Sequence, residues 1–300
     1  MPTNTPVAFL GLGLMGRPMA FHLLERGCKV AVWNRSAGKT AGFAEKGARV
    51  AESPADAAKG AKLVFTCVGD APDVEEVLFH DLAGATTKAD LGTLFVDHST
   101  ISPAKAHDLE VSLRDEGFRF LDAPISGGQK GAIAGQLAIM CGGAEADFAE
   151  AEPVMRAYGK NIVHVGGPGM GQVCKACNQV LVVANIMGVA EALNLAKNLG
   201  ANPEKVLEAV KGGAAGSWSL ENLGPKMIAG DDSAGFYVKH QQKDLRIVLE
   251  AAREAGLPLP GTALIHELYK IVQNRGGDEK GNHCLFRALE VMKGSDWRAE

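Results

Sequence analysis

The sequence has little of what would place it in a special class. Its formal net charge is only −4 over 300 residues, so nothing electrostatic draws it to nucleic acid or to an anionic membrane surface. The six cysteines, at 28, 67, 141, 174, 177 and 284, lie among apolar runs without the spacing of a disulfide framework. They read as buried free thiols of a reducing compartment, and the cytoplasm is the expected location. Uninterrupted apolar runs, such as 180–184, are too short to span a bilayer. No basic and apolar leader precedes the first strand-like run, which begins at Val7. Internal repeats and low-complexity tracts are absent as well. Metal chemistry lacks its ligands. Cys174-Lys175-Ala176-Cys177 has no second pair to complete a zinc site, and apolar helical spacing accounts for Cys177 as core. His266-Glu267 is followed by Lys270 where a zinc-protease helix needs histidine.

What is present is a globular composition, 46% hydrophobic and 22% charged, long enough for one large or two ordinary domains. Short β-branched and apolar runs at 7–10, 29–33, 63–68, 93–97, 118–121, 136–141 and 162–165 alternate with helical patterns. That alternation predicts an α/β fold with a mostly parallel, doubly wound sheet, its last strands being antiparallel additions. Ser53-Pro54 and Ser102-Pro103 each pair a capping hydroxyl with proline at the first helical position, and Ser36 is a candidate cap for a helix to about Lys46. From Gly169 the period changes. Val173, Ala176, Cys177, Val180, Leu181, Ala184 and Met187 keep helical spacing toward Leu199, and Gly200 is a natural stop. A helix of roughly 30 residues would be about 45 Å long, enough to run from one domain into the core of another. Asn202-Pro203 restarts a helix at once, and further helices are expected at 217–229, 238–255, 260–274 and 284–293. The expected domains are therefore 1–167, a Rossmann-type sheet, and 168–300, an all-α domain entered by the long helix.

The first strand-like run ends in Gly11-Leu12-Gly13-Leu14-Met15-Gly16, a helix follows, and a second strand ends at Asn34. In that setting the glycines have separate tasks. Gly11 permits a tight turn, Gly13 lets backbone N–H groups approach a pyrophosphate, and Gly16 lets the helix pack against the strand. An NAD enzyme would usually carry a carboxylate at the end of the second strand. Here stand Asn34, Arg35 and Ser36, with Lys39 beyond, and a guanidinium suits the 2′-phosphate that an aspartate would repel. The expected cofactor is NADP(H); the alternative is that Arg35 is a plain exposed cation.

Hydride transfer needs a proton donor or acceptor at the substrate oxygen, and an ammonium can fill that role while stabilising alkoxide charge. Lys175, on the face of the long helix that also carries Asn178, is the candidate. Ser126, Gly127 and Gly128 offer a hydroxyl and approachable N–H groups, a concavity suited to a carboxylate, although Ser-Gly-Gly alone is equally a plain turn. Lys243 and Asp244 could be a solvated helix pair, and Trp218 and Phe236 read more readily as core than as a substrate wall.

Taken in order, the glycine turn, Asp122-Ala123-Pro124-Ile125-Ser126-Gly127-Gly128, the stretch around Lys175 and Lys243-Asp244 resemble the β-hydroxyacid dehydrogenase family over nearly the whole chain. Lys239-His240-Gln241-Gln242-Lys243-Asp244 after Phe236, with Asn34-Arg35-Ser36, looks most like its glyoxylate/succinic semialdehyde reductase branch. The segment from Asp122 looks more like the wider family. The resemblance implies that Lys175 is the catalytic lysine and Asn178 its substrate-orienting neighbour. It also implies that Ser126, Gly127 and Gly128 hold the substrate carboxylate, that Thr100 lies near the nicotinamide, and that Lys243 contacts the cofactor. Phe236 and Asp244 would close and orient the site. The implied reaction interconverts a small aldehyde acid and its hydroxy acid in a homo-oligomer, a dimer or tetramer. Alternatives are a 3-hydroxyisobutyrate or tartronate semialdehyde type enzyme, an imine reductase, a non-catalytic dinucleotide sensor and, more distantly, a phosphogluconate dehydrogenase.

Overall fold

The computed structural model describes residues 4–299 and divides into two compact units, Met1–Lys175 and Ala176–Glu300. In the first unit, strands β1 (Pro6–Leu10), β2 (Lys29–Trp33), β3 (Arg49–Val50), β4 (Leu63–Thr66), β5 (Leu94–Asp97), β6 (Arg119–Asp122), β7 (Ile125–Ser126), β8 (Leu137–Gly143) and β9 (Gly159–Gly166) form one sheet. Its order is β3-β2-β1-β4-β5-β6-β8-β7, with β9 beside β8. The strands from β3 to β6 pair in parallel, β8 runs antiparallel to β6 and β7, and β9 is parallel to β8. Growth of the sheet reverses direction at β1, between β2 and β4, which is where open α/β sheets form a ligand crevice at the carboxyl ends of their strands.

The central strands are continuous apolar runs because helices cover both faces of the sheet. Phe9, Phe65, Val96 and Leu121 belong to one core and Ala8, Leu10, Val64, Phe95 and Phe120 to the other. The covering helices are α1 (Gly16–Glu25), α2 (Pro54–Ala58), α3 (Ala71–Phe79), α4 (Pro103–Asp115), α5 (Gly128–Ile133) and α6 (Glu145–Met155). Ser53 and Ser102 cap α2 and α4 through the N–H groups of Asp56 and Lys105, with proline at the start of each helix. Ser36 departs from expectation. Its hydroxyl makes no capping hydrogen bond among the described residues, and two short 3₁₀ turns, Ala37–Thr40 and Ala44–Lys46, replace the helix. The cause is tertiary: Arg17 of α1 donates to the carbonyls of Lys39 and Ala41, and Phe43 is drawn into the core and stacked on Phe21.

Helix α7 (Met170–Asn198) opens at the end of the first unit and continues into the second, where α8 (Pro203–Val210), α9 (Trp218–Asn222), α10 (Gly224–Ala229), α11 (Val238–Glu254), α12 (Pro260–Asn274) and α13 (Leu285–Met292) follow. Gly200, at φ +78°, follows its end, and Asn202 caps α8. The buried stripe of α7 is not the one expected. Gln172, Lys175, Gln179, Val183, Ile186, Ala190 and Leu193 are buried, whereas Val173, Cys177 and Leu181 are exposed. Val183, Ile186, Ala190 and Leu193 pack with Leu245, Tyr269 and Leu285 in the core of the helical unit. By length and mean hydropathy, α7 could also cross a bilayer, which short apolar runs did not suggest, because its apolar residues are spread over 29 positions. Trp218 is likewise 57% exposed rather than core. Of the six cysteines only Cys28, Cys141 and Cys284 are buried.

Candidate active site

The glycine turn follows β1, in register with β2 and β4 on either side. Gly11 adopts φ +100°, and a Cβ there would lie 2.3 Å from the carbonyl oxygen of Cys67; a Cβ on Gly16 would lie 2.0 Å from the carbonyl oxygen of Gly11. Both glycines are thus required by the protein's own packing. Gly13 differs, since a Cβ there would meet no protein atom within 4 Å. A turn that only packed tightly would not need it, but a turn that admits a ligand against its backbone would. Among the described residues no side chain caps the N-terminus of α1, and the positive end of the helix dipole lies at the turn, a setting suited to a pyrophosphate. These residues fit a dinucleotide.

Asn34 ties β2 to this turn by accepting from the N–H of Leu12 at 2.7 Å, and its amide donates to the carbonyl of Ser36. Arg35, 74% exposed, reaches Asp73 of α3 at 3.2 Å and Glu76 at 3.8 Å. Leu14 and Met15 are half-buried in the turn.

Farther along the same strand ends, a hydrogen-bonded framework fixes the loop after β5. Asp97 accepts from the hydroxyl of Thr66 and the N–H of Ser99, and the Ser99 hydroxyl accepts from the N–H of Val68. Gln172 then donates to the carbonyl of Ser99 and accepts from the N–H of Ile101, so it grips the loop on both sides of Thr100. At the end of β6, the carboxylate of Asp122 accepts from the N–H groups of Gly169 and Gln172, both at 2.8 Å, and so caps the start of α7. Burial pushes its pKa up to about 6 against the opposing effect of those hydrogen bonds.

Lys175, 6% exposed, sits in the second turn of α7 and donates to the carbonyl of Ile125 at 2.9 Å. Ser126 follows Ile125 in β7, and Gly127 (φ +132°) and Gly128 (φ +59°) turn the chain into α5. The backbone therefore brings the lysine and the Ser-Gly-Gly turn together, although 50 residues separate Lys175 from Ile125.

In the helical unit, Asn178 donates to Gln179, Gln179 donates to Asp244 at 2.6 Å, and Lys243 pairs with the other oxygen of Asp244 at 3.1 Å. Asn178, Asp244 and Lys243 are thus joined by a residue, Gln179, that sequence reasoning did not single out. Phe236 is half-buried, its ring beside that of His240. Sequence reasoning also gave no role to Gln172, His98 or Asp122. A usable signal existed: Gln172, Lys175 and Gln179 share helical phase with Val183 and Ile186, so polar groups continue a buried stripe.

Two family models match. The NAD-binding domain of 6-phosphogluconate dehydrogenase matches residues 6–166, and the NAD-binding model of NADP-dependent 3-hydroxyisobutyrate dehydrogenase matches residues 169–289. An uncharacterised oxidoreductase of Synechocystis is 44% identical over 94% of this chain and 97% of its own. The 2-hydroxy-3-oxopropionate reductase of Escherichia coli is 40% identical over 95% of this chain and 97% of its own. Among solved structures, the 3-hydroxyisobutyrate dehydrogenase of Mycobacterium tuberculosis, determined with L-serine, superposes with a TM-score of 0.86 at 29% identity, covering 96% of this chain and 99% of that one.

Proposed function

Since the chain belongs to the β-hydroxyacid dehydrogenase family, we propose that it is an NADP(H)-dependent reductase of small aldehyde acids, such as succinic semialdehyde or glyoxylate, with Lys175 as general acid/base. That it is an oxidoreductase of this family binding a pyridine dinucleotide follows from its membership. The finer reading rests chiefly on one observation, the buried ammonium of Lys175 held against Ile125 beside Ser126.

The dinucleotide, when bound, supplies or accepts the hydride. The chain's residues do the rest. Gly11, Gly13, Leu14, Met15 and Gly16 cradle the pyrophosphate on α1, Asn34, Arg35 and Ser36 read the ribose, and Thr100 borders the nicotinamide. Ser126, Gly127 and Gly128 bind the substrate carboxylate through a hydroxyl and backbone N–H groups. Lys175 passes a proton to the substrate oxygen in reduction and takes it back in oxidation. Asn178 orients the substrate, and Phe236, Asp244 and Lys243 carry the closing and cofactor-contacting roles that the family resemblance gives them. Residues 1–167 form the dinucleotide domain and 168–300 the substrate and oligomerisation domain, in a cytoplasmic dimer or tetramer. A second reading, reduction of 2-hydroxy-3-oxopropionate or oxidation of 3-hydroxyisobutyrate, is favoured by the names of the E. coli and M. tuberculosis relatives.

One assay tests both. NADPH oxidation is followed with glyoxylate, succinic semialdehyde, tartronate semialdehyde (2-hydroxy-3-oxopropionate) and a cyclic imine, and NADP+ reduction with 3-hydroxyisobutyrate, for wild type and Lys175→Ala. The variant is expected to lose about 10²–10⁴-fold in kcat while its NADPH affinity is kept. Full turnover by Lys175→Ala would remove the lysine from the mechanism, and activity with the imine alone would overturn the substrate class.

A further inference from the structure

Arg35 follows β2 and Asp73 lies in the first turn of α3, on the connection after β4. Because β1 lies between β2 and β4, an ion pair between these two residues spans the carboxyl end of β1, over the crevice. Neighbouring strands stand about 4.8 Å apart, so the bridge covers two strand spacings. Asp73 is not a loose surface carboxylate. One of its oxygens accepts from the N–H of Asp70 at 3.2 Å in a capping box whose other half is the Asp73 N–H on the Asp70 side chain, which also accepts from the N–H of Ala71 at 2.8 Å. Pro72 stands at the helix start, and Gly69 is so close that a Cβ there would lie 2.5 Å from the same Asp73 oxygen. The helix cap therefore fixes the carboxylate and leaves its second oxygen aimed at Arg35, 3.2 Å away. Glu76, one turn on, adds a second negative charge at 3.8 Å.

We propose that Asp73 is a specificity-determining residue that competes with the cofactor's 2′-phosphate for Arg35, and so narrows the preference of this chain for NADPH over NADH. The inference rests on the reading of Arg35 as the partner of that phosphate. To meet a 2′-phosphate, the guanidinium must give up its pairing with Asp73 at 3.2 Å and its attraction to Glu76 at 3.8 Å. A ribose with a free 2′-hydroxyl meets neither cost. The pair is solvated, so its effect is modest, within the range of exposed ion pairs.

The test measures Kd of NADPH and of NADH by fluorescence titration at low salt for wild type, Asp73→Asn, Arg35→Ala and the double variant. Asparagine keeps a carbonyl oxygen for the Asp70 N–H and removes only the charge. If a thermal melt shows that the cap is nonetheless lost, Asp73→Ser supplies another capping oxygen. Asp73→Asn is expected to tighten NADPH about three- to fivefold, with NADH unchanged and no effect of the substitution in the Arg35→Ala background. If Arg35→Ala weakens NADPH selectively while Asp73→Asn leaves both affinities alone, the competition is overturned and the reading of Arg35 stands. Equal losses of NADPH and NADH in Arg35→Ala would instead overturn that reading, and the competition with it. Tightening that persists in the double variant would show direct repulsion of the phosphate and also overturn competition for Arg35.

Discussion

The ring of His98 is buried beyond the end of β5 with a hydrogen bond at each nitrogen, Nδ1 to the carbonyl of Ala123 at 2.6 Å and Nε2 to the hydroxyl of Tyr158 at 2.8 Å. A carbonyl can only accept, so Nδ1 carries the proton and Nε2 accepts from the tyrosine. The ring also stacks on Phe65 and lies away from solvent. Burial, opposed in part by the bond to Ala123, lowers the pKa to about 4 from an ordinary value of 6.5. Between those values the unfolded chain binds more protons than the native one. The contribution of neutral His98 is therefore full above pH 6.5 and is lost as pH falls through about 4, a difference on the order of 3 kcal/mol. His98→Gln cannot titrate. The gap in unfolding free energy between wild type and this variant, measured by urea denaturation, is expected to shrink steadily from pH 7 to pH 4; a constant gap would show that His98 is not held neutral by its pocket. Asp122 works in the opposite sense. Its pKa, raised to about 6, adds stability below its ordinary value of 3.8 that is lost as pH rises through 6.

At the scale of elements, the turn between β1 and α1 separates folding from binding. Gly16→Ala would drive a Cβ to 2.0 Å from the Gly11 carbonyl. It is expected to cost about 3 kcal/mol, read as a lowered urea midpoint. Gly13→Ala meets no protein atom, so stability should change by less than about 0.5 kcal/mol while the affinity for NADPH falls about tenfold or more. Equal stability losses in the two variants would mean that Gly13 serves packing rather than the pyrophosphate. Helix α7 divides its duties in the same way along its length. Its first turns are tied to the end of β6 through Asp122, to the loop after β5 through Gln172 and to β7 through Lys175, and its later turns bury Val183, Ile186 and Leu193 in the helical core. Polar residues in the buried phase are costly unless bonded, and Gln172, Lys175 and Gln179 each make a hydrogen bond to a defined partner.

For the molecule as a whole, the exposed face of α7 has a consequence. Cys177, Leu181, Ala184, Gly188, Ala192 and Leu195 follow one another at helical spacing, all on the solvent side of the chain; Leu181 is 65% and Leu195 62% exposed. A continuous apolar stripe of this length is the kind of surface that oligomers cover. If the proposed dimer or tetramer uses it, Leu181→Glu combined with Leu195→Glu should shift light-scattering mass toward the monomer at micromolar concentration while the melting transition remains cooperative. An unchanged mass would place the assembly surface elsewhere.

Local rules gave the architecture. Alternating strand and helix patterns predict the parallel sheet and its covering helices, Ser-Pro and Asn-Pro pairs mark helix starts, and three glycines mark the turn at the switch point. These features are legible because propensity, capping and glycine geometry act over a few neighbouring residues. Where long-range contacts compete with local preference, the sequence alone misleads. Arg17 and Phe43 prevent the helix after Ser36, and bonded glutamines turn the less apolar stripe of α7 inward. Each of these outcomes depends on partners 22 or more residues away along the chain. Residue spacing alone does not encode such distances, because they exist only once the sheet has brought its strand ends together.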